Sequence, residues 1–258
     1  MSGADAATRA AAARALRCLD LTLLEEGAEP GAIDTLCARA CTAHGNVAAV
    51  CVFPRFAAQA RAALRDSGVR FATVVNFPTC DRPVDFVLAM TGDALAEGAE
   101  EIDVVIPWHA LRAGNDTPVR ETLRAVRRVA RRETLKAILE TGRLETPALI
   151  TRAAEIAVEE GADFLKTSTG KVEVNATLEA AALLLEVIRQ AGRPVGLKPS
   201  GGVRSTEDAL GYLRLADRVM GEGWAAPASF RIGASSLLAA LLATLGGDDG
   251  LRGGSGGY

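Results

Sequence analysis

Short apolar runs alternate along this chain with stretches whose apolar residues recur every three to four positions. The runs read as strands at residues 16–24, 48–53, 69–76, 101–106, 134–139, 163–167, 194–198 and 230–232. The periodic stretches read as helices at 30–43, 54–66, 84–97, 118–131, 147–159, 177–190, 206–213 and 235–245. Gly68, Gly98 and Gly161 fall between a helix and the next strand, where a helix-ending residue of left-handed conformation is wanted. Repeated strand–helix units predict parallel strands with crossover helices. About eight of them in one chain predict a closed (β/α)8 TIM barrel. An open doubly wound sheet is the alternative, but no G-x-G-x-x-G follows the first strand and no G-x-x-x-x-G-K-[ST] occurs. The first fifteen residues read as an extra leading helix. Residues 1–245 are expected to form one barrel domain, and 246–258 a Gly-rich tail that is flexible by composition.

Composition narrows the chemistry. Of 258 residues 49% are hydrophobic but only 4% aromatic, so Ala, Leu, Val and Ile must build the core. A net charge of -3 with interspersed signs disfavours a nucleic-acid surface. The cluster Arg124, Arg127, Arg128, Arg131 and Arg132, beside Glu121 and Glu133, reads as a solvated helix face rather than a binding patch. No stretch reaches the ~20 apolar residues of a membrane span. Arg9, Arg14 and Arg17 interrupt any signal-peptide core. Cys18, Cys37, Cys41, Cys51 and Cys80 form no disulfide framework and fit reduced thiols in the cytoplasm. Cys37 and Cys41 lie one helical turn apart without a second ligand pair, and His44 and His109 are the only histidines. Metal-dependent chemistry is therefore disfavoured, and no cofactor is expected.

The basic residues are unevenly divided. Among 29 of them only four are lysines: Lys136, Lys166, Lys171 and Lys198. Arginine stays protonated, whereas a lysine can become a neutral amine nucleophile. Three of the four fall within predicted strands, at the place where a barrel builds its active site. Asp20, Thr22, Cys51 and Asp103 end other strands. Lys166 and Lys198 end adjacent strands whose backbones should lie ~4.8 Å apart. Two ammonium groups ~5 Å apart repel by ~3 kcal/mol at an effective dielectric near 20, about two pKa units. Burial pushes the same way, so one of the pair can be neutral and attack a carbonyl to form a Schiff base. Asp103 is best placed to shuttle protons. The competing reading is a pair of lysines salt-bridged inside the barrel without catalysis. Lys136, on the fifth strand, faces the same pocket if the register holds.

Glycines mark the other half of a site. T-S-T-G-K (Thr167 to Lys171) follows the sixth strand, P-S-G-G-V-R (Pro199 to Arg204) the seventh, and G-A-S-S (Gly233 to Ser236) opens the last helix. Glycines let backbone N–H groups approach an anion, and loops after strands seven and eight are the usual phosphate place in this fold. Each loop alone is only a turn. Together they favour a phosphorylated substrate.

These segments carry a resemblance. K-T-S-T-G-K and G-L-K-P-S-G-G-V-R, with E-I-D-V-V (Glu101 to Val105), A-V-C-V-F-P-R-F (Ala49 to Phe56) and L-D-L-T (Leu19 to Thr22), resemble the signature segments of the deoxyribose-phosphate aldolases. The similarity runs in order from Leu16 to Leu245. It implies a class I aldolase that reversibly cleaves 2-deoxy-D-ribose 5-phosphate to acetaldehyde and D-glyceraldehyde 3-phosphate without a metal. By that resemblance Lys166 forms the Schiff base, Lys198 depresses its pKa, and Asp103 is the acid/base partner. Gly170, Lys171, Gly201, Gly202, Gly233 and Ser235 would hold the phosphate, while Asp20, Thr22 and Cys51 line the sugar end. Thr79 and Cys80 depart from the pattern, which reaches a glycine there. Tyr258 matches a terminal tyrosine that in some family members assists proton transfer; a frayed end is the other reading. Rival functions are another Schiff-base aldolase or transaldolase, and a non-catalytic phosphosugar-binding barrel. A homodimer is compatible with such a barrel, with no diagnostic surface stripe.

Overall fold

In the computed structural model, which describes residues 3–246, eight parallel strands form one sheet. They are β1 (Leu19–Leu23), β2 (Ala49–Val52), β3 (Arg70–Val75), β4 (Glu101–Val105), β5 (Thr134–Ile138), β6 (Phe164–Lys166), β7 (Gly196–Lys198) and β8 (Ile232–Ala234). β8 pairs with β1, and the bridges Leu197↔Phe230 and Ser200↔Gly233 join the sheet's two ends into a (β/α)8 barrel. The helices are α1 (Gly3–Arg17), α2 (Pro30–Arg39), α3 (Ala57–Ala63), α4 (Val84–Ala96), α5 (Trp108–Arg112), α6 (Thr117–Val129), α7 (Thr141–Leu144), α8 (Pro147–Glu159), α9 (Leu178–Gln190), α10 (Thr206–Met220) and α11 (Leu237–Leu245). Their apolar stripes cover the sheet: Leu184, Leu185 and Ile188 of α9, for example, are buried while Glu186 and Gln190 face outward. No helix among the described residues is long and apolar enough to cross a membrane.

Several boundaries differ from the sequence reading. α1 runs through Leu16 to Arg17, because Leu16 and Ala12 share a buried face one turn apart and Arg14 pairs with Asp217 of α10 at 2.6 Å. α2 stops at Arg39, and Cys41–Thr42 pairs with Gly45–Asn46 as a small hairpin. The stretch after β2 splits into a tight turn, Pro54–Phe56, and α3. α10 continues beyond 213 because Ala216 stays buried while Arg214 and Arg218 face away from the core. The eighth strand lies at Ile232–Ala234, two residues later than expected, so G-A-S-S supplies strand residues first and α11 begins only at Leu237. The Gly-rich tail from residue 247, Tyr258 included, lies outside the described residues.

Candidate active site

Alternation along a strand sends every second side chain into a barrel. Here those positions carry Asp20 on β1, Glu101 and Asp103 on β4, Lys136 on β5, Lys166 on β6 and Lys198 on β7, with Arg231 just before β8; all seven are buried. Lys136 Nζ lies 2.6 Å from Glu101, 2.8 Å from Asp103 and 3.6 Å from Asp20. Lys198 Nζ bridges Asp20 at 2.5 Å and Asp103 Oδ2 at 2.8 Å. Lys166, opposite Lys198 in the register, reaches that same Asp103 oxygen at 2.7 Å. Arg231 pairs with Asp20 at 2.7 Å and with Glu101 at 2.8 Å. Its guanidinium sits 5.5 Å from the centre of the Phe164 ring. That ring occupies the space left by Gly196, where a Cβ would lie 2.3 Å from it.

Three carboxylates thus face four cations, and full ionisation would leave one positive charge uncompensated in a buried space. The contacts decide which cation is the surplus one. Lys136 meets three carboxylates, Lys198 two and Arg231 two. Lys166 meets one oxygen, and shares it. Burial is the largest influence on Lys166 and lowers its pKa; Asp103 opposes this, and the Lys198 charge adds to the lowering. At Lys198 burial also works downward, but Asp103 and Asp20 outweigh it and raise the pKa. The same balance, with Asp103 and Glu101 leading, raises Lys136. Burial alone would raise Asp103, yet Lys136, Lys166 and Lys198 hold it well below the carboxylate range. The sequence left open which lysine of the pair is neutral; the contacts favour Lys166.

Beside these groups, at the C-terminal end of the strands, a cleft of ≈ 200 Å³ is lined by Thr22, Gly170, Lys171, Gly201, Gly202, Gly233 and Ser235. The glycine loops are tied to one another. Thr167 Oγ1 donates to the Ser200 carbonyl at 3.2 Å and accepts from the Ser200 N–H at 3.0 Å. Gly233 N–H donates to the Pro199 carbonyl at 2.9 Å. Gly201 has φ +82°, and a Cβ there would meet Asn175 Oδ1 at 2.6 Å, so a side chain is excluded twice over. Cys51 is fully buried beside Thr22 in the register, and burial pushes its thiol up to about 11. Asp20 and Lys136 expose no surface and lie outside the residues that line this cleft; their charges reach it through Lys198 and Asp103. Cys80, where the resembling pattern has glycine, adopts φ 58°, packs with Val105 and Ile138, and lies 3.5 Å from His109 Nδ1.

Residues 19–243 match the model of the DeoC/LacD family of aldolases. The chain belongs to that family. This aldolase is 53% identical to the deoxyribose-phosphate aldolase of Agrobacterium fabrum over 96% of each chain. In structure it is similar to a candidate deoxyribose-phosphate aldolase from Toxoplasma gondii ME49, with a TM-score of 0.86 and 26% identity over 93% of this chain and 98% of that one. A candidate deoxyribose-phosphate aldolase from Coccidioides immitis is 30% identical, with a TM-score of 0.80 over 88% of this chain and 85% of the other.

The sequence reading missed Glu101, Arg231 and Glu140. Glu101 precedes Asp103 by two residues and so shares its face of β4, which was a usable signal. Arg231 stands as the one charge in the apolar run before Gly233, a weaker one. Glu140 gave no signal, since its significance lies in a left-handed backbone (φ 57°) and a bond to a distant loop.

Proposed function

We propose that this aldolase reversibly cleaves 2-deoxy-D-ribose 5-phosphate to acetaldehyde and D-glyceraldehyde 3-phosphate through a Schiff base on Lys166. The observation that carries the assignment of the nucleophile is the charge imbalance, four cations against three carboxylates, with Lys166 the least compensated. The 53% identical relative named for this activity supports the substrate. The neutral Lys166 amine attacks the C1 aldehyde carbon, and the carbinolamine loses water to give a protonated imine. Removal of the C3 hydroxyl proton sends the C2–C3 bonding electrons into the imine, releasing D-glyceraldehyde 3-phosphate and leaving an enamine. The enamine takes a proton at C2, and water hydrolyses the resulting imine to free acetaldehyde and Lys166. Asp103 and Lys198, hydrogen-bonded at 2.8 Å, hold and return the protons of these steps. The cleft formed by Gly170, Lys171, Gly201, Gly202, Gly233 and Ser235 takes the phosphate, with Thr22 at the sugar end and Cys51 buried beside it in the register. Because the imine is the electron sink, the route calls for no metal.

Incubation of the full chain with 2-deoxy-D-ribose 5-phosphate tests the substrate. Acetaldehyde and D-glyceraldehyde 3-phosphate should appear in equal amounts, and absence of either product defeats the proposal. A cytoplasmic setting fits the free thiols, four of the five being buried.

A further inference from the structure

We propose that Glu140 is a positioning residue for the phosphate half of the site, fixing the Thr169–Gly170–Lys171 loop in its anion-receiving shape. The proposal rests on the phosphosugar reading above. Glu140 lies just past β5, between two bonds that tie this segment to the Lys166 strand: Leu139 N–H to the Lys166 carbonyl and Thr141 N–H to the Thr167 carbonyl, each 2.9 Å. Its side chain is 1% exposed. One carboxylate oxygen accepts the Thr169 N–H at 3.1 Å, and the other accepts the Thr169 hydroxyl at 2.7 Å. With its proton given to Glu140, Thr169 Oγ1 is left free to accept, and it receives the Lys171 N–H at 3.0 Å. The relay from Glu140 through Thr169 to Lys171 closes the loop around Gly170, which faces Gly201 across the cleft.

The backbone supplies a second reason. Glu140 sits at φ 57°, ψ 55°, a left-handed conformation that costs a residue with a Cβ roughly 1 kcal/mol and that glycine or asparagine would take more easily. A glutamate held there against its preference is explained by what its carboxylate does, and both oxygens are spent on the phosphate loop.

The test uses the full chain and the variants Glu140→Ala and Thr169→Val, the second removing only the hydroxyl link of the relay. Calorimetric titration with inorganic phosphate reads the loop directly. Steady-state kinetics compare 2-deoxy-D-ribose 5-phosphate with unphosphorylated 2-deoxy-D-ribose. Both variants should weaken phosphate binding roughly tenfold or more, the scale of one lost hydrogen bond to a charged group. The ratio of kcat/KM values for the two sugars should fall by a similar factor, mainly through KM of the phosphorylated one. Phosphate affinity unchanged in a folded variant, or an equal loss of kcat/KM for both sugars, overturns the proposal. If Glu140→Ala fails to fold by circular dichroism, Thr169→Val decides alone. A wild type that binds phosphate yet cleaves no deoxyribose phosphate defeats the proposed function, and the affinities still decide the role of Glu140.

Discussion

Lys136 touches no exposed surface, yet replacing it with methionine should disable the amine on the neighbouring strand. Lys136 and Lys166 hold the two oxygens of one carboxylate, at 2.8 Å from Asp103 Oδ1 and 2.7 Å from Asp103 Oδ2. Unit charges that share one carboxylate, on the order of 6 Å apart, interact by ~3 kcal/mol at an effective dielectric of about 20. Removing the Lys136 charge leaves three carboxylates against three cations, so a protonated Lys166 no longer represents surplus charge. Its pKa should rise by up to about two units, and the neutral fraction near pH 7 should drop by up to about 100-fold. The assay is the pH dependence of imine formation, followed as the rate of borohydride trapping with acetaldehyde. In Lys136→Met the acid limb should move to higher pH while the rate at high pH recovers. Each carboxylate keeps another cation, but taking one partner out of a buried ion cluster still costs stability, up to ~3–5 kcal/mol, so circular dichroism must first establish that the variant is folded. A folded variant whose acid limb has not moved would refute the argument that charge balance governs Lys166.

Three further substitutions follow from the same contacts. Lys166 has its pKa lowered on folding, so the unfolded chain binds more protons there; the residue costs stability below its unfolded value of ~10.4, and the cost fades as pH rises toward it. Lys166→Met should therefore raise stability to urea at pH 7, with the gain shrinking by pH 10, and a loss at pH 7 would contradict this. Arg231→Met leaves Asp20 to Lys198 and Glu101 to Lys136 but removes the charged hydrogen bonds that tie the two carboxylates together, and should lower unfolding free energy by ~2–3 kcal/mol; a loss under about 1 kcal/mol would contradict the pairing. Gly201→Ala places a Cβ 2.6 Å from Asn175 Oδ1 at φ +82°, so KM for the phosphorylated sugar should rise, and an unchanged KM would remove Gly201 from the cradle.

Much of this was legible in the chain. Strand–helix alternation predicts the barrel because each unit buries one face of a helix on one strand, a local pattern. Lys166 and Lys198 stood out because a long charged side chain in an apolar strand has no solvent to reach. The short helices α5 and α7 were missed because five and four residues are too few to display a helical period. The eighth strand shifted because Phe230 is buried yet only bridges Leu197, and burial without a ladder looks the same in sequence. Arg231 and Glu101 lie 130 positions apart and acquire meaning only once the barrel closes. Glu140 needed a backbone conformation that no residue pattern records.

By its contacts Lys166, rather than Lys198, should be the amine that meets the aldehyde. Borohydride reduction in the presence of acetaldehyde, followed by peptide mass mapping, tests it most directly. One ethyl group per chain should be found, on the peptide bearing Lys166. An adduct on Lys198, or none on Lys166, would contradict it.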